Sequence, residues 1–174
     1  MPLTLDQLNA SNCADFVAAL GHLFEHSPWV AEETWPRRPF RDAAQLHAEL
    51  CVSMRSATRE KQLALINAHP DLAGRLARQK QLTAESTREQ SSAGLDQLTD
   101  AELAEFTRLN ESYKEKFGFP FVICARLNAK SAILAAMQTR LGNLPDAEFA
   151  TALSEIEKIG WLRLQDILAT VNPP

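Results

Sequence analysis

Ala68-His69-Pro70-Asp71-Leu72-Ala73-Gly74 is the stretch on which the reading of the fold turns. Upstream, Thr58 to Ala68 places Leu63 and Ile66 at helical spacing, which predicts a helix with those two side chains inward. Pro70 disfavours the α conformation for His69, so that helix ends at or just before the histidine. A proline also suits the first position of a helix, which predicts the next one from Pro70 to about Gln81. The run therefore reads as a helix–helix junction that holds an imidazole. Histidine is the side chain whose ordinary pKa lies near neutrality, so it can take and return a proton at pH 7.

Outward from the junction the pattern stays helical. Thr4 caps a short helix to about Ala10, and Asn12 caps a second from Cys13 to about Glu25, with Phe16, Val17, Leu20, Leu23 and Phe24 inward. Ser27-Pro28-Trp29 breaks it, and Val30 to Trp35 adds a turn before the connection Pro36 to Phe40. Asp42 to about Arg55 carries Leu46, Leu50 and Met54 at a spacing of four. Thr83 opens a segment that sets Ser86, Glu89 and Gln90 on one helical face. Thr99 with Glu102 forms a capping box for a long helix to about Lys116. Ser131 to Leu141 is a helix closed by Gly142, and Pro145 opens the last, to about Val171. Between them Phe117 to Ala125 is apolar, broken by Gly118 and Pro120, and reads as extended. Residues 1–174 are thus expected to form one all-α domain, a bundle of about eight helices with an extended apolar segment near 117–125.

Length and composition restrict the function. A chain of 174 residues buries roughly 70% of its unfolded surface, enough for a core. A net charge of -4 argues against nucleic acid or an anionic membrane as partner. No stretch of about 18 apolar residues predicts a membrane span. The N-terminus lacks the pattern of a secretory signal, and Val171-Asn172-Pro173-Pro174 is not a peroxisomal tripeptide. Cys13, Cys51 and Cys124 are odd in number and widely spaced, which fits reduced thiols in the cytoplasm.

Few residues can carry chemistry. Arg163 falls on the inward stripe of the last helix with Phe149, Leu153, Ile156, Gly160 and Ile167. A buried guanidinium needs a carboxylate, from the protein as a structural salt bridge or from a ligand. Ser86, Glu89 and Gln90 suit an amide-rich small molecule, although a solvated helix face has the same composition. The amides of the extended segment need partners, either side chains or a polar ligand. His22 and His26 share a helical face but lack a third metal ligand. His47 reads as a surface or packing residue, and Cys124 as a buried inert thiol. No phosphate loop, G-x-S-x-G or C-x-x-C occurs.

Four stretches carry a resemblance: Phe24-Glu25-His26-Ser27-Pro28-Trp29-Val30-Ala31, Asn67-Ala68-His69-Pro70-Asp71-Leu72-Ala73, Glu89-Gln90-Ser91-Ser92-Ala93-Gly94-Leu95, and Lys116-Phe117-Gly118-Phe119-Pro120-Phe121-Val122-Ile123-Cys124-Ala125-Arg126, with a closing Arg163-Leu164-Gln165-Asp166. In order and content the chain resembles the 2-oxo-4-hydroxy-4-carboxy-5-ureidoimidazoline (OHCU) decarboxylases of urate degradation. The resemblance implies an all-helical, cofactor-free and metal-free homodimer that forms (S)-allantoin. It assigns His69 as the catalytic acid/base and Glu89 as a catalytic partner. It assigns substrate contacts to Pro70, to Ser86, Thr87, Arg88 and Gln90, to Phe121, Val122, Ile123, Cys124 and Ala125, and to Arg163. Two other readings stay open: a lyase acting on another small carboxylated heterocycle, and a non-catalytic helical interaction module.

Overall fold

A computed structural model of the chain describes residues 3–74 and 81–169. Among the described residues there are nine α-helices, two short 3-10 helices and no β-strand, as an all-α reading expects. No described helix is long and apolar enough to cross a membrane. The chain forms two compact units, one from Met1–Leu65 with Glu157–Pro174 and one from Ile66–Ile156.

The first unit contains α1 (Leu5–Ala10), α2 (Cys13–Leu20), α3 (Trp29–Thr34), a 3-10 turn (Trp35–Arg37), α4 (Ala43–Ser56) and most of α5 (Arg59–Ala68). Residues from Glu157 onward of α9 (Pro145–Ala169) belong to it as well. Short polar side chains start the helices by accepting from orphan amides of the first turn. Thr4 Oγ1 accepts from Gln7 N while Thr4 N donates to Gln7 Oε1, a reciprocal box. Asn12 and Asp42 accept from Asp15 N and Gln45 N.

Three expectations fail here. The helix from Cys13 stops at Leu20, not near Glu25. A Cβ on Gly21 would lie 3.0 Å from Pro28 Cβ and 2.6 Å from Val17 O, so the chain doubles back against this glycine. Leu23 and Phe24 remain buried from the loop that follows, whereas Val17 is only partly covered. On α5 it is Leu65 and Ile66 that are buried, while Leu63 is 37% exposed. Leu65 and Ile66 share a face with His69 one turn on, and that face turns Leu63 outward. The interior gathers Phe16, Leu20, Phe24, Leu46, Leu50 and Met54, each worth about 1.5–3 kcal/mol when removed from water. Gly160 admits the Phe24 ring, whose Cζ lies 3.2 Å from where a Cβ would stand.

The second unit contains α6 (Ala84–Ser92), α7 (Asp100–Phe117), a 3-10 turn (Ala125–Leu127), α8 (Lys130–Arg140) and α9 up to Ile156. Thr83 caps α6 on Ser86 N, and Thr99 with Glu102 makes the expected box on α7. Gly118 ends α7 in the left-handed conformation at φ 76°, open to glycine without steric cost. Phe106, Leu109 and Tyr113 of α7 are buried, as are Ile133 and Met137 of α8. Gly118 to Cys124 runs neither as helix nor as strand; the segment expected to be extended is shorter at both ends, since Phe117 closes α7 and Ala125 opens the 3-10 turn.

The helix expected from Pro70 does not begin there. Pro70 to Gly74 is a turn in which Ala73 has φ 51°, a left-handed backbone that no α-helix contains. The remainder of that expected helix, residues 75–80, lies outside the described residues.

Candidate active site

His69 follows the last residue of α5, and its N–H closes the final turn on the Ile66 carbonyl at 3.1 Å. The residue is 8% exposed. Pro70 next to it is half-buried. The chain then turns through Asp71, Leu72 and Ala73, and this turn is tied at consecutive residues. Lys114 Nζ meets Asp71 Oδ2 at 2.6 Å, Asn110 Nδ2 donates to the Leu72 carbonyl at 2.9 Å, and Ala73 N donates to Gln90 Oε1 at 3.0 Å. Gln90 Nε2 also faces the Asp71 carbonyl at 3.4 Å. The left-handed Ala73 costs roughly 1–2 kcal/mol, which these bonds must offset.

Helix α6 has two faces. Ser86 and Gln90 are buried, and Glu89 is half-buried beside them. Thr87 and Arg88 lie on the exposed face: Thr87 Oγ1 donates to the Thr83 carbonyl, and Arg88 pairs with Glu85 at 3.6 Å. The side chains of Thr87 and Arg88 are therefore not brought to the buried face that Ser86 and Gln90 share. The amide of Gln90 is engaged with the turn after His69.

The segment 121–125 packs near α6. The short helix that starts at Ala125 touches α6, and the Ala93 carbonyl just after α6 accepts from Lys130 N at 3.1 Å. Burial pushes the Cys124 thiol up to about 11, with the charges of Glu155 and then Glu89 adding to the rise. Cys124 is buried, as the sequence suggested, and its thiol stays protonated at neutral pH. Phe121 and Val122 are also buried; Ile123 is 8% and Ala125 5% exposed.

Side chains satisfy part of this segment's backbone. Cys124 N donates to Glu155 Oε2 at 2.8 Å, and the Val122 carbonyl accepts from Arg140 Nη1 at 2.9 Å. The Arg140 guanidinium stacks 4.3 Å above the Phe121 ring, whose edge meets Tyr113 at 5.3 Å between centroids. Arg140 in turn pairs with the fully buried Glu148, which also receives bonds from Tyr113 Oη and Asn143 Nδ2. Burial and the Glu148 charge hold the Tyr113 phenol well above its ordinary value.

In the first unit Arg163 is buried, and its carboxylate comes from the protein. Nη1 and Nη2 reach Glu25 Oε2 at 3.1 and 3.0 Å, and Nη1 faces the His22 and Leu23 carbonyls at 3.3 and 3.4 Å. Ile167, expected on the same stripe, is half-buried. His22 and His26 are exposed in the loop after α2, with His26 at φ 46°, so they share no helical face. His47 packs on Trp161, 5.2 Å between ring centroids, with Nε2 2.9 Å from the Glu157 carbonyl.

Sequence reasoning passed over Asn110, Arg140, Glu148 and Glu155. One signal was available: each is polar yet sits at a helical spacing otherwise apolar. Asn110 interrupts Phe106, Leu109 and Tyr113, while Glu148 and Glu155 interrupt Phe149, Ala152 and Ile156.

The chain is similar to proteins of known name. A family model described as OHCU decarboxylase matches residues 9–165. The 2-oxo-4-hydroxy-4-carboxy-5-ureidoimidazoline decarboxylase of Haloferax volcanii is 44% identical over 164 residues, 94% of this chain and 95% of that one. The protein of that name from Amia calva is 43% identical, over 95% of each chain. A crystal structure of (S)-allantoin synthase superposes with a TM-score of 0.78 at 31% identity, over 96% of this chain. The chain spans 54% of the length of that solved chain.

Proposed function

The chain belongs to the OHCU decarboxylase family, and from that premise we propose that it converts OHCU to (S)-allantoin and CO2 with His69 moving the protons. One observation carries the assignment of the site. Three stretches far apart in sequence meet at α6: Gln90 bonds the turn that follows His69, and the short helix that opens at Ala125 packs on α6. These are the stretches in which the resemblance put the acid/base and the substrate contacts.

The substrate carbon that loses CO2 carries a hydroxyl and a carboxylate. Its neighbour is an imine-type carbon bearing the ureido group. When the carbon–carboxylate bond breaks, its electron pair moves into the adjacent C=N bond and the ring nitrogen takes a proton. The hydroxyl proton then leaves as the carbonyl forms, and the ureido-bearing carbon gains a proton on one face. The net change is one proton consumed and one CO2 released. The substrate supplies its own electron sink, so the chemistry asks only for placed acids and bases.

His69 is the group for these transfers. It is held at a chain junction and largely shielded from water, and imidazole is the side chain whose ordinary pKa lies near neutrality. Glu89 orients the hydroxyl or the imidazole. Ser86 and the backbone of 121–125 bind the ring and ureido groups, and Pro70 lies against the reacting face. From Thr87 and Arg88 the reading takes the backbone. The resemblance also gives Arg163 as a substrate contact; an anion holder in that role must not grip the carboxylate that leaves. The free thiols suit a reducing compartment, so we place the protein in the cytoplasm. The homodimer implied by the family is checked by sedimentation.

The test uses OHCU generated in the cuvette and follows (S)-allantoin by circular dichroism. The wild-type chain is expected to speed its appearance, and His69→Asn to lose at least a hundredfold of that acceleration with helicity unchanged. A His69→Asn variant as fast as wild type removes the role from His69. A wild-type chain without acceleration removes the function and favours another heterocycle or a non-catalytic module.

A further inference from the structure

Asn110 stands where α7 should carry a leucine. It lies on the stripe of Phe106, Leu109 and Tyr113, and it is 5% exposed. A buried amide is costly there unless its hydrogen bonds are made. Its Nδ2 donates to the Leu72 carbonyl at 2.9 Å, while its Oδ1 has no hydrogen-bond partner among the described residues. The bond to Leu72 is thus what this side chain does. One turn later on the same face, Lys114 Nζ reaches Asp71 Oδ2 at 2.6 Å. Helix α7 therefore grips two consecutive residues of the turn that begins at His69-Pro70.

That turn does not hold its shape alone. Ala73 sits at φ 51°, a conformation alanine adopts only where its surroundings dictate it. Gln90 holds the Ala73 amide from α6, and Asn110 holds the preceding carbonyl from α7. Pro70 fixes its own φ, so little play remains between the Leu72 carbonyl and the His69 backbone.

We propose that Asn110, supported by Lys114, is a positioning residue for His69, the bond to the Leu72 carbonyl setting where the imidazole stands. The inference rests on the reading in which His69 moves the protons. A misplaced acid/base loses rate more than it loses substrate affinity, because the proton transfer is felt in the transition state.

The experiment compares wild type, Asn110→Leu, Lys114→Met and Lys114→Arg in the OHCU assay below the unfolding range, with the His69 ring followed by NMR. For Asn110→Leu, kcat is expected to fall at least tenfold with KM within threefold, and the His69 ring signal to move. A lower Tm with kcat and KM as in wild type reduces Asn110 to a packing role and overturns the proposal. Should Asn110→Leu fail to fold, Lys114→Met decides, since that ion pair is exposed and folding is not at stake. A threefold loss of kcat, restored by Lys114→Arg, supports the proposal; an unchanged kcat overturns it. A wild-type chain inert toward OHCU fails the decarboxylase reading separately. The NMR signal then decides alone: a His69 ring displaced in Asn110→Leu supports the positioning, and a superimposable one overturns it.

Discussion

Gln90 takes the amide proton of Ala73 at 3.0 Å, and Ala73 is one of two non-glycine residues described with positive φ. A strained residue is thus fastened by a side chain 17 positions away. Removing the acceptor strands a buried N–H, at a cost of about 1–3 kcal/mol. Gln90→Leu should lower stability by that amount in urea unfolding. Ala73→Gly exchanges roughly 1–2 kcal/mol of relieved strain for about 0.4–1 kcal/mol of added freedom in the unfolded chain. It should leave stability level or slightly raised. A loss above 1 kcal/mol in Ala73→Gly would show that the alanine is not strained there.

Arg163 and Glu25 form a buried pair in which both terminal guanidinium nitrogens share one carboxylate oxygen. Glu25→Gln keeps the shape and removes the charge, leaving a guanidinium in the interior with its main counter-charge gone. Breaking such a pair costs about 3–5 kcal/mol, whereas replacing both partners with apolar groups is far milder. Glu25→Leu with Arg163→Met should therefore cost less than the two single changes added together. A double-mutant cycle on urea midpoints should return a coupling of roughly 1–3 kcal/mol. Additive single effects would mean that the two charges do not depend on each other.

What could be read from sequence follows the range of the interactions. Caps are local, so Thr4, Asn12, Thr83 and Thr99 were legible from one residue and its third neighbour. The end of α2 was not, because Pro28 packing on Gly21 sets it. Pro70 spells a helix start by every local rule, yet its turn is shaped by Gln90 and Asn110, 17 and 38 residues from their partners. The face of Ser86 and Gln90 followed from spacing alone. The pairing of Arg163 did not, since a buried guanidinium announces its need for a carboxylate but not which one. For Arg140 and Glu155 the spacing signalled burial but not the partner: each reaches a backbone group of a segment with no regular periodicity.

The thiols give a test in pH. Burial lifts Cys51 to about 12, with Glu157 adding to it, and Cys124 to about 11. In the unfolded chain both titrate near 9. Between 9 and those folded values the unfolded state holds fewer protons than the native state, so stability falls as pH rises. Below 9 both states are protonated and the two groups add no slope. Replacing both cysteines with alanine should flatten the decline of the urea midpoint across this alkaline window. A slope unchanged by the double substitution would assign the decline to other groups. The same protonation governs reactivity, because the thiolate is the nucleophile. At pH 8 a thiol-labelling reagent should modify Cys13 first; Cys51 is also partly exposed but its raised pKa slows it, and Cys124 is reached only in denaturant. Rapid native labelling of Cys124 would contradict both its burial and its raised pKa, and with them the packing of 121–125 against Glu155.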